Sequence, residues 1–131
     1  MKFKYIDPEG YEIESEDLSL IKKEFSRNYK EWINGSGDSS LEVAGKTLII
    51  FKLEKGIFIM QLSDYSAPLI HKNLQSNTIS YYVGGEPMNI PDVCLGNEEI
   101  AYKIVSYFIK NKGKLLPDYK WIDIHDYVDD I

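Results

Sequence analysis

Two histidines, one cysteine and a run of carboxylates are the residues of this chain that could do chemistry. Histidine is the commonest general base near neutral pH. His71 follows Leu69-Ile70, and His125 sits in the tail segment Asp123-Ile124-His125-Asp126. Neither stands in a sequence context that activates a nucleophile. Catalysis would therefore need pairing across the fold with Ser63, Ser66 or Cys94. Cys94 lies in Pro91-Asp92-Val93-Cys94-Leu95 with no CxxC partner, and reads as a small buried hydrophobe. The tail carries Asp118, Asp123, Asp126, Asp129 and Asp130. Hard cations need several oxygens held by a tight, glycine-turned loop, and no turn glycine is present here. These acids read instead as a solvated end, or as a docking patch for a partner's arginines and lysines. Gly84-Gly85 leads into no helix with Lys-Ser/Thr, so it reads as a hairpin turn and not a phosphate cradle. Neither a metal nor a cofactor is expected.

Composition narrows the function classes. With 131 residues, 44% of them hydrophobic and 27% charged, the chain fits one domain that buries its own core. A net charge of −6 argues against a nucleic-acid binder, which needs a basic field, and suits a basic partner. A single cysteine suits a reducing cytosol. Asp7-Pro8-Glu9 follows Met1-Lys2-Phe3-Lys4 too soon for a signal peptide, and no apolar run approaches the length of a membrane span.

The elements that must position these residues read as follows. Lys2 to Ile6 alternates as a strand, and Asp7-Pro8-Glu9-Gly10 is a turn. Ser15 to Trp32 reads as one helix, with Leu18, Ile21, Phe25 and Tyr29 on its apolar stripe. Asn34 to Ser40, rich in glycine and serine, reads as a flexible loop. Thr47–Leu53 and Ile57–Leu62 contain unbroken apolar runs, which imply central strands buried on both faces. A short strand is expected at Leu69–Lys72, and a hairpin from Thr78 to Ile90. Asn97 to Lys112 is a second helix, capped by Asn97 and stopped by Gly113. The expected fold is α+β: a largely antiparallel sheet of about five to seven strands with two α-helices packed on one face. The other face or its loops would be left for a partner.

The order of hairpin, Ile90-Pro91, helix ending in Phe108 and Gly113, then Pro117 and Trp121 resembles immunity protein family 1 of bacterial polymorphic toxin systems. The similarity covers about the last fifty residues well and the preceding strands loosely. The Gly113-to-Pro117 connection is slightly longer than the family pattern, and the first forty residues match no motif. The resemblance implies a cytoplasmic protein that binds and silences a toxin domain encoded beside it, often a nucleic-acid-targeting deaminase or nuclease, and that is not an enzyme. It also makes Trp121 structural. No family motif assigns contact residues. Position in a loop, exposed strand or tail, together with side-chain type, selects Asp64, Tyr65, His71, Tyr81, Glu86, Asp123 and Asp126 as partner contacts. The alternative is a small-molecule-binding domain or small hydrolase with a tyrosine-lined pocket between helix and sheet, in which His71 or His125 meets Cys94, a serine or a carboxylate.

Overall fold

Along the chain run β1 (Phe3–Ile6), β2 (Glu12–Ser15), α1 (Ser19–Ser26), α2 (Tyr29–Asn34), β3 (Asp38–Val43), β4 (Lys46–Leu53), β5 (Gly56–Gln61) and β6 (Ser66–Pro68). They are followed by β7 (Thr78–Val83), β8 (Glu86–Pro91), a 3-10 turn at Asp92–Cys94, α3 (Glu98–Lys110) and β9 (Trp121–Asp123). The computed structural model describes residues 2–71, 77–83 and 86–125, the side chains of Tyr82 and Val83 excepted. The expected Gly84-Gly85 turn and Asp126 lie outside the described residues. Seven strands pair antiparallel in the order β2-β1-β3-β4-β5-β6-β9, and β7 pairs with β8 as a separate hairpin. The α+β class is as expected.

The two apolar runs do occupy the centre, and their alternation divides the core in two. Leu48, Ile50, Ile57 and Ile59 face a layer made by Ile21 and Phe25 of α1, Trp32 of α2 and Ala101, Ile104, Val105 and Phe108 of α3. Phe51, Leu53, Phe58 and Met60 face the opposite way, onto Tyr81 and Ile90 of the hairpin and onto Val93, Cys94 and Leu95. The face opposite the helices is therefore not left open, as the sequence suggested. The β7–β8 hairpin folds back over its β4–β6 half. On the β2-β1-β3 portion of that face, register sets Lys4 beside Glu14 on one side and Glu42 on the other.

The expected helix from Ser15 to Trp32 is replaced by a strand and two helices. Asp7 closes a hairpin into β2 by accepting the backbone N–H groups of Glu9 and Tyr11. Ser15 ends that strand, and its hydroxyl caps Asp17 N at 2.9 Å instead of starting a helix. Chain direction then changes again at Arg27, whose ψ of 148° is extended. Asn28 opens α2 with a reciprocal cap: its side chain accepts from Lys30 N at 2.9 Å, and Glu31 accepts from Asn28 N at 3.1 Å. An Asn-x-x-Glu start signal inside an apparently continuous helical period produces this break. Lys52, reaching up from β4, donates to the carbonyls of Phe25 and Arg27 and so satisfies the end of α1.

The segment after α2 is pinned and not a free loop. Ser36 N donates to Pro8 O at 2.7 Å, and β3 already begins at Asp38. Gly35 packs so tightly that a Cβ there would lie 2.2 Å from Pro8 O, a backbone atom with little freedom to move. Gly35→Ala is expected to cost about 2 kcal/mol, because one of two backbone segments must shift. Urea unfolding of the variant measures this directly. The expected strand at Leu69–Lys72 is also displaced: the pairing residues are Ser66 to Pro68, and Lys72 lies outside the described residues. The second helix forms as read. Asn97 accepts from Ile100 N at 2.8 Å, and Gly113, at φ +82°, donates to Phe108 O in the stop.

Candidate interaction surface

Three of the selected contact residues meet at one corner of the sheet. The turn after β5 presents Asp64 and Tyr65, and β6 then runs antiparallel to β9 with Ser66 opposite Asp123. Ser66 donates to Asp64 Oδ1 at 2.9 Å, so this one small residue has both carboxylates as neighbours. Tyr65 takes a positive φ of 51°, which turns its ring across the end of β9. Its carbonyl accepts from Ile124 N at 2.8 Å, and its ring stacks on His125 at 4.8 Å and 8° between planes. His125 closes the group: its backbone N–H donates to Asp123 Oδ1 at 2.9 Å, and Nδ1 lies 2.5 Å from the same oxygen. Those bonds, the backbone one first, hold the Asp123 carboxyl below the usual carboxylate range. Asp123 stays ionised at any physiological pH. The side chains of Asp123 and His125 are 72% and 49% exposed, so the carboxylate and the imidazole face outward, while Tyr65 beneath the stack is half-buried against the hairpin-side core.

His125 was not among the selected contacts, although the sequence carries a signal for it. Aspartate two residues before another residue forms Asx-type bonds to that residue's N–H, which fixes the second side chain beside the carboxylate. Ser66 gives no comparable signal, because its role depends on the β6–β9 pairing.

The other selected residues go elsewhere. Tyr81 is a correction: only 5% exposed, it belongs to the core beneath the hairpin and donates its hydroxyl to Gly37 O at 2.7 Å. Burial pushes its phenol up to about 12. A tyrosine in an alternating strand shows its burial only when the strand's cover is known. His71 is exposed, with Nε2 2.8 Å from Leu95 O, and Glu86 is exposed at the start of β8. Neither joins the corner. Trp121 packs against the helix-side core and donates Nε1–H to Leu116 O at 3.1 Å, a structural placement.

Chemistry of the other candidate groups follows from their surroundings. Cys94 is buried, and desolvation with a contribution from Asp92 pushes its thiol up to about 12, so the nucleophilic thiolate is scarce near neutral pH. Between α3 and the sheet, Ile57, Ile59, Cys94, Ala101 and Ile104 close on a space without room for a water molecule. The wider hollows lie outside that layer. One of about 330 Å³ sits among Lys22, Phe25, Glu98, Glu99 and Tyr102, where Lys22 Nζ stands 4.7 Å over the Tyr102 ring. Among the described residues no group of three or more metal-ligating side chains occurs. No helix of the described residues is long and apolar enough to cross a membrane. The sequence matches no family model and no curated protein.

Proposed function

We propose that this chain is an immunity protein: it binds a cognate toxin domain and occludes its active site without chemistry of its own. The observation that carries the reading is the corner where Asp64, Asp123 and His125 gather, exposed, around the half-buried Tyr65 at the β6–β9 pairing. The resemblance of about the last fifty residues to immunity protein family 1 supplies the biological setting. A toxin that acts on nucleic acid carries cations that hold phosphates, and two carboxylates at a fixed spacing can occupy that place. The Tyr65–His125 stack adds an aromatic face on which a guanidinium or an apolar side chain can lie. Such a partner acts in the cytosol of the cell that makes both proteins. Neither a cofactor nor a nucleic acid enters this mechanism.

Co-expression with the C-terminal domain of the large secreted protein encoded by a neighbouring gene tests the proposal. Survival of the cells and co-purification of a stable pair are expected. Killing despite abundant folded protein would overturn the reading for that toxin, and the same result with every neighbouring toxin would overturn it altogether.

A further inference from the structure

A second surface, independent of the corner, lies at the opposite edge of the sheet. Strand β2 is terminal in the strand order, so β1 satisfies only one of its two edges. The register shows which backbone groups remain. Asp7 N donates to Tyr11 O at 3.0 Å, which makes 7 and 11 a hydrogen-bonded pair. Antiparallel pairs alternate between bonded and non-bonded, so Tyr5–Ile13 and Phe3–Ser15 are bonded and Ile6–Glu12 and Lys4–Glu14 are not. The N–H and C=O groups of Glu12 and Glu14 therefore point away from the sheet. Among the described residues no backbone bond meets them.

The side chains along this edge alternate in character. Glu12 and Glu14 are exposed on one face, while Ile13 is half-buried on the other and packs against the helix-side core. Just before the strand, Tyr11 is 69% exposed. Lys2 and Lys4 stand 3.8 and 3.6 Å from Glu14 and Glu12, so the edge itself presents two glutamates at the positions that would face an added strand. This charge decides the occupant. A second copy pairing antiparallel on β2 would set glutamate against glutamate, a repulsive cross-strand arrangement.

We propose that the outer edge of β2 accepts an extended segment of another protein, added antiparallel as an eighth strand, with basic residues alternating with apolar ones. Its basic side chains lie across from Glu12 and Glu14, about 5 Å away as cross-strand neighbours do. Its apolar side chains extend the surface of Ile13, and its backbone takes up the free groups of Glu12 and Glu14.

A seven-residue synthetic peptide alternating valine and lysine is the probe, compared with the same sequence N-methylated at every other residue on the edge that faces β2. The two carry identical charge, but only the first can pair. Nuclear magnetic resonance hydrogen exchange on the full chain is the readout. The unmodified peptide is expected to slow exchange of the Glu12 and Glu14 amides about tenfold or more, and the methylated one is not. The Glu12→Lys/Glu14→Lys variant, its fold checked by its amide spectrum, should lose the protection. Equal binding of both peptides would reduce the effect to charge attraction and overturn the proposal. So would the absence of protection at these two amides at saturating peptide. Neither result bears on the Asp64–Asp123 corner.

Discussion

Arg27→Met is expected to lower folding stability by about 3 to 5 kcal/mol, the usual cost of stranding one partner of a buried ion pair. Arg27 stands at the α1–α2 break and gathers three carboxylates. It donates to both Glu9 oxygens at 2.9 and 2.8 Å and to Glu24 at 3.0 Å, and approaches Glu31 at 3.8 Å. The three are not equivalent. Glu9 and Glu31 have side chains 38% and 55% exposed, and pairs in that setting contribute only about 0 to 1 kcal/mol each. Glu24 is 8% exposed and also accepts from the Tyr5 hydroxyl at 3.2 Å. Removing the guanidinium leaves that carboxylate buried with one neutral donor, and this arm accounts for most of the loss. Burial, with Glu24 adding to it, holds the Tyr5 phenol far above its ordinary range, so it stays protonated and remains that one neutral donor. Adding Glu24→Gln to the variant should restore about half of the loss, a coupling readable from urea unfolding of the cycle. A purely additive cycle would show that Glu24 does not depend on Arg27.

Phe58→Ala should cost about as much, 3 to 5 kcal/mol, and should loosen the hairpin more than the helices. Phe58 is fully buried on β5 and faces away from the helices. Its ring stacks on Phe51 at 5.6 Å and 13°, and Phe51 in turn lies 5.6 Å from Tyr81 of the hairpin. Truncation removes the ring on which Phe51 stacks and so loosens the support under Tyr81. Hydrogen exchange at the β7 and β8 amides should accelerate while α3, packed on Ile57 and Ile59 across the sheet, keeps its protection until global unfolding. A loss below about 1 kcal/mol, or faster exchange in α3 alone, would contradict the two-layer core.

Much of this architecture is legible in the residues. Unbroken apolar runs at Leu48–Phe51 and Ile57–Met60 require cover on both faces, and both faces are covered. Asn97, Glu98 and Gly113 mark α3 to within a residue or two, because cap chemistry is local. What fails to show is non-local. The period through Leu18, Ile21, Phe25 and Tyr29 survives a change of direction, because α1 and α2 both pack their stripes on one sheet face and only the Asn28–Glu31 cap betrays the break. Nothing in Thr78–Val83 tells that this hairpin folds over the sheet in place of extending it, and Tyr81 is misread as exposed for that reason. Of the corner, Asp64 and Asp123 are recognisable as exposed loop and strand-end residues, whereas Tyr65 is half-buried against the hairpin-side core. Their meeting depends on β6 pairing with β9 across more than fifty intervening residues, which no local pattern specifies.

Calorimetric titration of the partner toxin domain with an Asp64→Lys/Asp123→Lys variant tests the central claim most directly. The control is Glu54→Lys/Glu99→Lys, which makes the same change in net charge; Glu54 lies in the turn at the far end of β5, and Glu99 in the first turn of α3. The corner reversal is expected to weaken binding about 100-fold or more, with the control within about threefold of the native chain. Equal losses from both variants would mean that net charge alone attracts the partner. Unchanged affinity of the corner variant would place the interface elsewhere and contradict the account.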